Sequence, residues 1–104
     1  GKSLAMQLCL TGEAIGAEKA ERAGLVSEVV APEECVPRAI EIATKIASQS
    51  AVAVAVNKDA VSKSFEMSLA EGVNYERQMF FSLFDSHDQK EGMSAFAEKR
   101  RPEW

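Results

Sequence analysis

The stretch Ala51-Val52-Ala53-Val54-Ala55-Val56-Asn57-Lys58-Asp59-Ala60-Val61-Ser62-Lys63-Ser64-Phe65 admits two readings, and the choice between them sets the fold class. Its first six residues alternate small and β-branched side chains, a strand pattern with valine on one face. From Asn57 on, no Gly or Pro interrupts the run, and good helix formers continue it. Strands usually span about 5–6 residues, so a segment this long favours a single helix from about Ala51 to Phe65.

Outward from that segment the pattern is helical in both directions. Upstream, Pro32 suits a first helical turn, and Val36, Ile40, Ala43 and Ala47 share a face with Ala39, Ile42 and Ile46 beside them. That spacing predicts an amphipathic helix ending near Ser48. Nearer the start, Leu4, Ala5, Leu8 and Cys9 form a helical stripe over Lys2–Leu10, stopped by Thr11-Gly12. A short second helix is expected over Gly16–Ala23 and is closed by Gly24. Downstream, Ser68-Leu69-Ala70-Glu71 has the capping-box spacing. Leu69, Val73, Met79, Phe80, Leu83 and Phe84 then give a long helix with a broad aromatic face. Asp85 to Asp88 reads as a polar turn. A last helix from about Asp88 carries Met93, Phe96 and Ala97, and Arg101-Pro102 is expected to end it. Leu25-Val26-Ser27-Glu28-Val29-Val30 is the one strand-like segment, dense in β-branched residues and without a partner strand in the chain. The expected class is mainly α, with five or six helices and at most one short strand.

Composition narrows the function classes. The chain has 104 residues, 46% hydrophobic and 27% charged, which is ordinary for a globular domain and unlike a disordered one. A modest core is expected, because a chain of this size can bury roughly 65% of its unfolded surface. The net charge of −4 leaves no surplus to neutralise phosphates, so no nucleic-acid partner is expected. The longest apolar run, Ala51–Val56, is far short of the ~20 residues a bilayer helix needs. Cys9 and Cys35 have no CxxC context and no paired histidine, so no metal site is expected. Two buried free thiols are the expectation, with a disulfide the alternative. No targeting segment is visible in the residues given.

The candidate chemistry is sparse. Glu33 and Glu34 sit near a helix start, where the helix dipole favours acids, and Glu71 reads as a cap rather than a catalyst. His87, the single histidine, has no nucleophile at catalytic spacing. Lys99-Arg100-Arg101 is a basic cluster in an acidic chain, either a set of cations completing a helix C-terminus or a site for an anionic partner. Phe80, Phe81, Phe84 and Phe96 are most simply core. An excess of such side chains would instead mark an intersubunit face or a ligand wall.

Two stretches carry more than periodicity. Gly1-Lys2-Ser3-Leu4-Ala5-Met6, Leu10-Thr11-Gly12-Glu13 with Ile15, Ala17 and Ala20, and Ala23-Gly24-Leu25-Val26-Ser27 resemble the A-x-x-x-x-L-T-G-x-x-I-x-A-x-x-A-x-x-x-G-L-V segment of the crotonase (enoyl-CoA hydratase/isomerase) family. Asp88, Glu91-Gly92-Met93, Ala95-Phe96, Glu98-Lys99-Arg100 and Pro102 resemble that family's D-x-x-E-G-x-x-A-F-x-E-K-R-x-P ending. Phe65-Glu66-Met67, Leu69 and Glu71-Gly72 are most similar to the mitochondrial short-chain hydratase branch of the family.

The resemblance implies the C-terminal helical (trimerisation) region of the crotonase ClpP-like fold. Residues 1–31 would end the spiral-core region, and 32–104 would form a helical oligomerisation and CoA-contacting region. It implies hydration of a trans-2-enoyl-CoA to a 3-hydroxyacyl-CoA in fatty acid β-oxidation, in the mitochondrial matrix. A sister isomerase or hydrolase activity, or a stand-alone helical module, is the alternative. The family's oxyanion hole and two catalytic glutamates lie N-terminal to the Gly1 position, so no catalytic residue is carried over and this chain alone is expected to be inactive. Lys99 is implied in contact with the adenosine phosphate region of CoA, with Phe80 and Phe96 walling the CoA and acyl pocket. The partners implied are the acyl-CoA and further copies of the chain, as a trimer or dimer of trimers. No cofactor is implied beyond the CoA carried by the substrate.

Overall fold

A computed structural model describes residues 1–104, and every regular element in it is helical. The order is α1 (Lys2–Thr11), α2 (Ala17–Arg22), a 3-10 turn (Pro32–Glu34), α3 (Cys35–Ala47), α4 (Ala51–Lys63), α5 (Leu69–Ser82), a second 3-10 turn (Leu83–Asp85) and α6 (His87–Glu98). The chain divides into two compact units, Gly1–Ala39 and Ile40–Trp104, with the division inside α3.

In the first unit, glycines end the helices. Gly12 (φ 70°) and Gly24 (φ 73°) take the left-handed conformation that costs a Cβ-bearing residue about 1–2 kcal/mol. After α2, Gly24 N–H donates to Glu21 O and Leu25 N–H donates to Ala20 O, both at 2.9 Å, which is a Schellman stop. Leu25–Val30 is irregular rather than a strand. Its β-branched residues favour extension, but a strand's backbone groups need a paired strand, and the chain forms none. The segment is tied instead by Glu28, whose carboxylate accepts from Arg38 Nε (2.9 Å) and Nη2 (3.3 Å). The 3-10 turn ahead of α3 follows from Pro37. Lacking an N–H, Pro37 cannot bond back to Glu33 O, so the α ladder does not extend across Pro32–Glu34.

In the second unit, serine caps set the helix starts. The alternating segment is helical: Ser50 Oγ accepts from Ala53 N–H at 3.3 Å and starts α4. Three alanines among its first six residues offset the modest helical cost of the valines. Ser68 and Glu71 form the full capping box of α5, with Ser68 N–H donating to Glu71 Oε2 at 3.1 Å. The Ser68 hydroxyl, donating to Glu71 Oε2 at 2.8 Å, and then the Ser68 amide hold the Glu71 carboxyl below the usual carboxylate range. α4 is joined to α5 by Tyr75 Oη donating to Asp59. Ser86 caps α6, so His87 is the first residue of that helix and not part of a turn. The helix stops at Glu98, three residues before Pro102 has any influence, because Lys99 turns left-handed.

The core is far smaller than expected. Only Ala20, Ala95 and Ser50 are buried. Phe80, Phe81, Phe84 and Phe96 are exposed rather than core, and both thiols are exposed and free. The apolar stripes exist as the sequence specifies, but the chain supplies no second layer to cover them. No single helix is long and apolar enough to cross a membrane.

Candidate functional site

Two features of the second unit concentrate the candidate residues: the end of α6 with the tail that follows it, and an apolar cavity beside them. Lys99 is the only non-glycine residue with positive φ (55°). Its N–H donates to Phe96 O (3.3 Å) and Arg100 N–H donates to Ala95 O (3.0 Å), so a lysine occupies the position where a Schellman stop ordinarily has glycine.

Beyond this stop the chain folds back on α6. Arg100 presents a fork to Glu91, Nη1 to Oε1 at 2.5 Å and Nη2 to Oε2 at 3.0 Å, while its Nε donates to Glu98 Oε2 at 2.7 Å. Glu103 N–H adds a third bond to Glu91, at 2.9 Å on Oε1. Bidentate, charge-assisted pairing of this kind is among the stronger polar contacts. Its first consequence is electrostatic: the Arg100 guanidinium, helped by the Glu103 amide, pulls the Glu91 carboxyl down to about 2 from the usual 4.5. Arg100 is correspondingly held more firmly protonated. Trp104 ends the tail, donating from Nε1 to Ser48 O at 2.9 Å. Its ring lies so close to Gly92 that a Cβ there would stand 3.3 Å from the indole edge. Glycine at position 92 thus leaves room for the indole, which a Cβ would press aside by a few tenths of an ångström.

The cavity, about 400 Å³, is lined largely by Phe80, Leu83, Phe84, Met93 and Trp104. Phe80 and Phe84 meet edge to face, their centroids 5.1 Å apart. At its polar end Ser50 Oγ donates to Asp88 Oδ2 at 2.6 Å, and Ser50 is 5% exposed. This pair links the start of α4 to the first turn of α6.

Of the three residues the sequence marked, the cavity includes Phe80 only. Phe96, 83% exposed on α6, and Lys99, exposed just beyond it, do not line it. Within the Lys99-Arg100-Arg101 cluster, Arg100 is committed to Glu91 and Glu98. The positioned carboxylates serve structure: Glu28 and Glu91 hold arginines, Glu71 caps a helix and Asp88 accepts from Ser50. His87 is a surface side chain 3.4 Å from Asp88 Oδ1. Sequence reasoning missed Glu91 and Trp104 as structural partners. A fork spanning nine residues becomes predictable only once the reversal at Lys99 is known.

A family model described as enoyl-CoA hydratase/isomerase matches residues 1–104. The chain is 56% identical, over its whole length and 38% of the relative's, to a probable mitochondrial enoyl-CoA hydratase of Dictyostelium discoideum. It is 50% identical, over 97% of its length and 35% of the relative's, to a mitochondrial enoyl-CoA hydratase of Pongo abelii. A crystal structure of an enoyl-CoA hydratase subunit from Geobacillus kaustophilus superposes with a TM-score of 0.92 at 40% identity, covering 98% of this chain and 40% of that one. The chain therefore spans about two-fifths of the length of the relatives it matches.

Proposed function

Because the chain belongs to the enoyl-CoA hydratase/isomerase family, we propose that it is the C-terminal helical part of an enoyl-CoA hydratase, which adds water across a trans-2-enoyl-CoA to give the 3-hydroxyacyl-CoA of fatty acid β-oxidation. The observation that carries this reading is the 56% identity, along the whole of the chain, to a relative named as a probable enoyl-CoA hydratase. In the reaction one carboxylate activates water, a second protonates C2, and backbone amides hold the thioester enolate oxygen. We place those groups in the region N-terminal to Gly1, consistent with the structural use of the carboxylates fixed here.

On this reading residues 1–31 complete the spiral core, and residues 32–104 provide subunit and CoA contacts in a homo-trimer or a dimer of trimers. Lys99 offers its ammonium to the CoA phosphates, and Phe80 and Phe96 form part of the pocket wall. No cofactor is required beyond the CoA carried by the substrate. The mitochondrial matrix is the proposed location, in line with two of the named relatives.

The test is an assay of the full-length protein that contains this chain, following loss of the conjugated enoyl thioester of crotonyl-CoA. The full-length protein is expected to hydrate it and the 104-residue chain to be inert. Turnover by the pure 104-residue chain would remove the assignment of catalysis to the missing part. Double-bond migration in a 3-enoyl-CoA without hydration would favour the sister isomerase activity.

A further inference from the structure

The conformation of Lys99 needs a reason. A side chain at φ 55° is strained where glycine would sit without cost, and such strain persists only where the surroundings over-determine it. Here they do. Arg100, the next residue, is fixed by both oxygens of Glu91 and by Glu98, and its N–H is bound to Ala95 O. The tail beyond is fixed by Glu103 N–H on Glu91 and by Trp104 on Ser48. Glu91 thus accepts from three donors on the far side of the turn and has no oxygen left over for chemistry. The same network sorts the three adjacent cations. Arg100 is neutralised by two carboxylates, while the exposed Lys99 side chain, at the left-handed turn, is held by no such pair.

We propose that Glu91 is a positioning residue for Lys99: by clamping Arg100 and the tail, it fixes the left-handed turn and aims the Lys99 ammonium at the phosphates of the bound acyl-CoA. This rests on the CoA-binding reading of Lys99 given above. The arrangement fixes the point and the angle at which the Lys99 stem leaves the backbone, so that only the stem itself is left to be ordered on binding an anion.

The test is a double-mutant cycle in the full-length enzyme, reading KM and kcat for crotonyl-CoA separately. Lys99→Ala is expected to raise KM about tenfold, more than it lowers kcat. Glu91→Gln is expected to raise KM about three- to fivefold, and to add nothing in the Lys99→Ala background. The sign is diagnostic, because removing a negative charge near an anionic ligand would by through-space electrostatics alone lower KM. Arg100→Gln breaks the same clamp from the other side and serves if Glu91→Gln does not fold; because losing its charge raises KM by itself, it is read only by whether its effect vanishes in the Lys99→Ala background. A lowered KM in Glu91→Gln, or effects that add to those of Lys99→Ala, would overturn the positioning role alone. An unchanged KM in Lys99→Ala would overturn the phosphate-binding reading, and the positioning role with it.

Discussion

At the scale of single residues, Glu91 is a side chain whose surroundings change its ionisation strongly. Its folded pKa, about 2, lies below the usual 4.5 because Arg100 and the Glu103 amide favour the charged form. A depressed carboxylate pKa adds stability that is fully present above about pH 4.5 and is lost as the pH falls toward 2. The tail contact should therefore loosen in that acid window and be insensitive to pH above it. Trp104 reports on it: the emission difference between the wild-type protein and Trp104→Phe should shift to the red between pH 4.5 and 2. In Glu91→Gln it should already be red-shifted at neutral pH. A blue, pH-independent Trp104 signal in Glu91→Gln would show that the indole holds the tail without the clamp.

At the scale of elements, serines decide where the helices of the second unit begin. Ser50 does two things at once, accepting from Ala53 N–H and donating to Asp88 on α6. Ser50→Ala should lower the stability of the full-length protein by about 1–2 kcal/mol, the sum of a lost cap and an unpaired partner. Urea unfolding measures this. Ser50→Asp would preserve the cap and set a like charge against Asp88, so it should not rescue the loss. The helices themselves were largely legible in the sequence. The capping box at Ser68 and the glycine stops at Gly12 and Gly24 stand where the residues placed them, and α4 follows the length of its segment over its alternation. Element ends that depend on distant contacts were not legible. The stop at Lys99 came earlier than Pro102 implied, because the tail network supplies what a local propensity rule cannot see.

At the scale of the whole molecule, exposure is the dominant fact. The chain presents 8625 Å² of accessible surface, against about 5,700 Å² for a compact monomer of its 11.3 kDa mass. Much of the excess is apolar: Phe65, Leu69 and Phe96 are each more than 80% exposed. Apolar surface on this scale marks an interaction face. The isolated 104-residue chain should therefore self-associate, which light scattering would reveal as species larger than 11.3 kDa. A single monomeric species would mean that the helices rearrange to cover one another. The sequence by itself determined the helical class, most helix starts, the glycine stops and the family, since each rests on local backbone preference or on a contiguous string of residues. Tertiary structure alone decided that the aromatic stripe is not a core, that Leu25–Val30 forms no strand, and that Glu91, Arg100, Gly92 and Trp104 work together. The physical reason is common to all three. Burial, strand pairing and a salt-bridged clamp each need a partner brought from elsewhere in space, and a linear pattern specifies a surface without specifying what meets it.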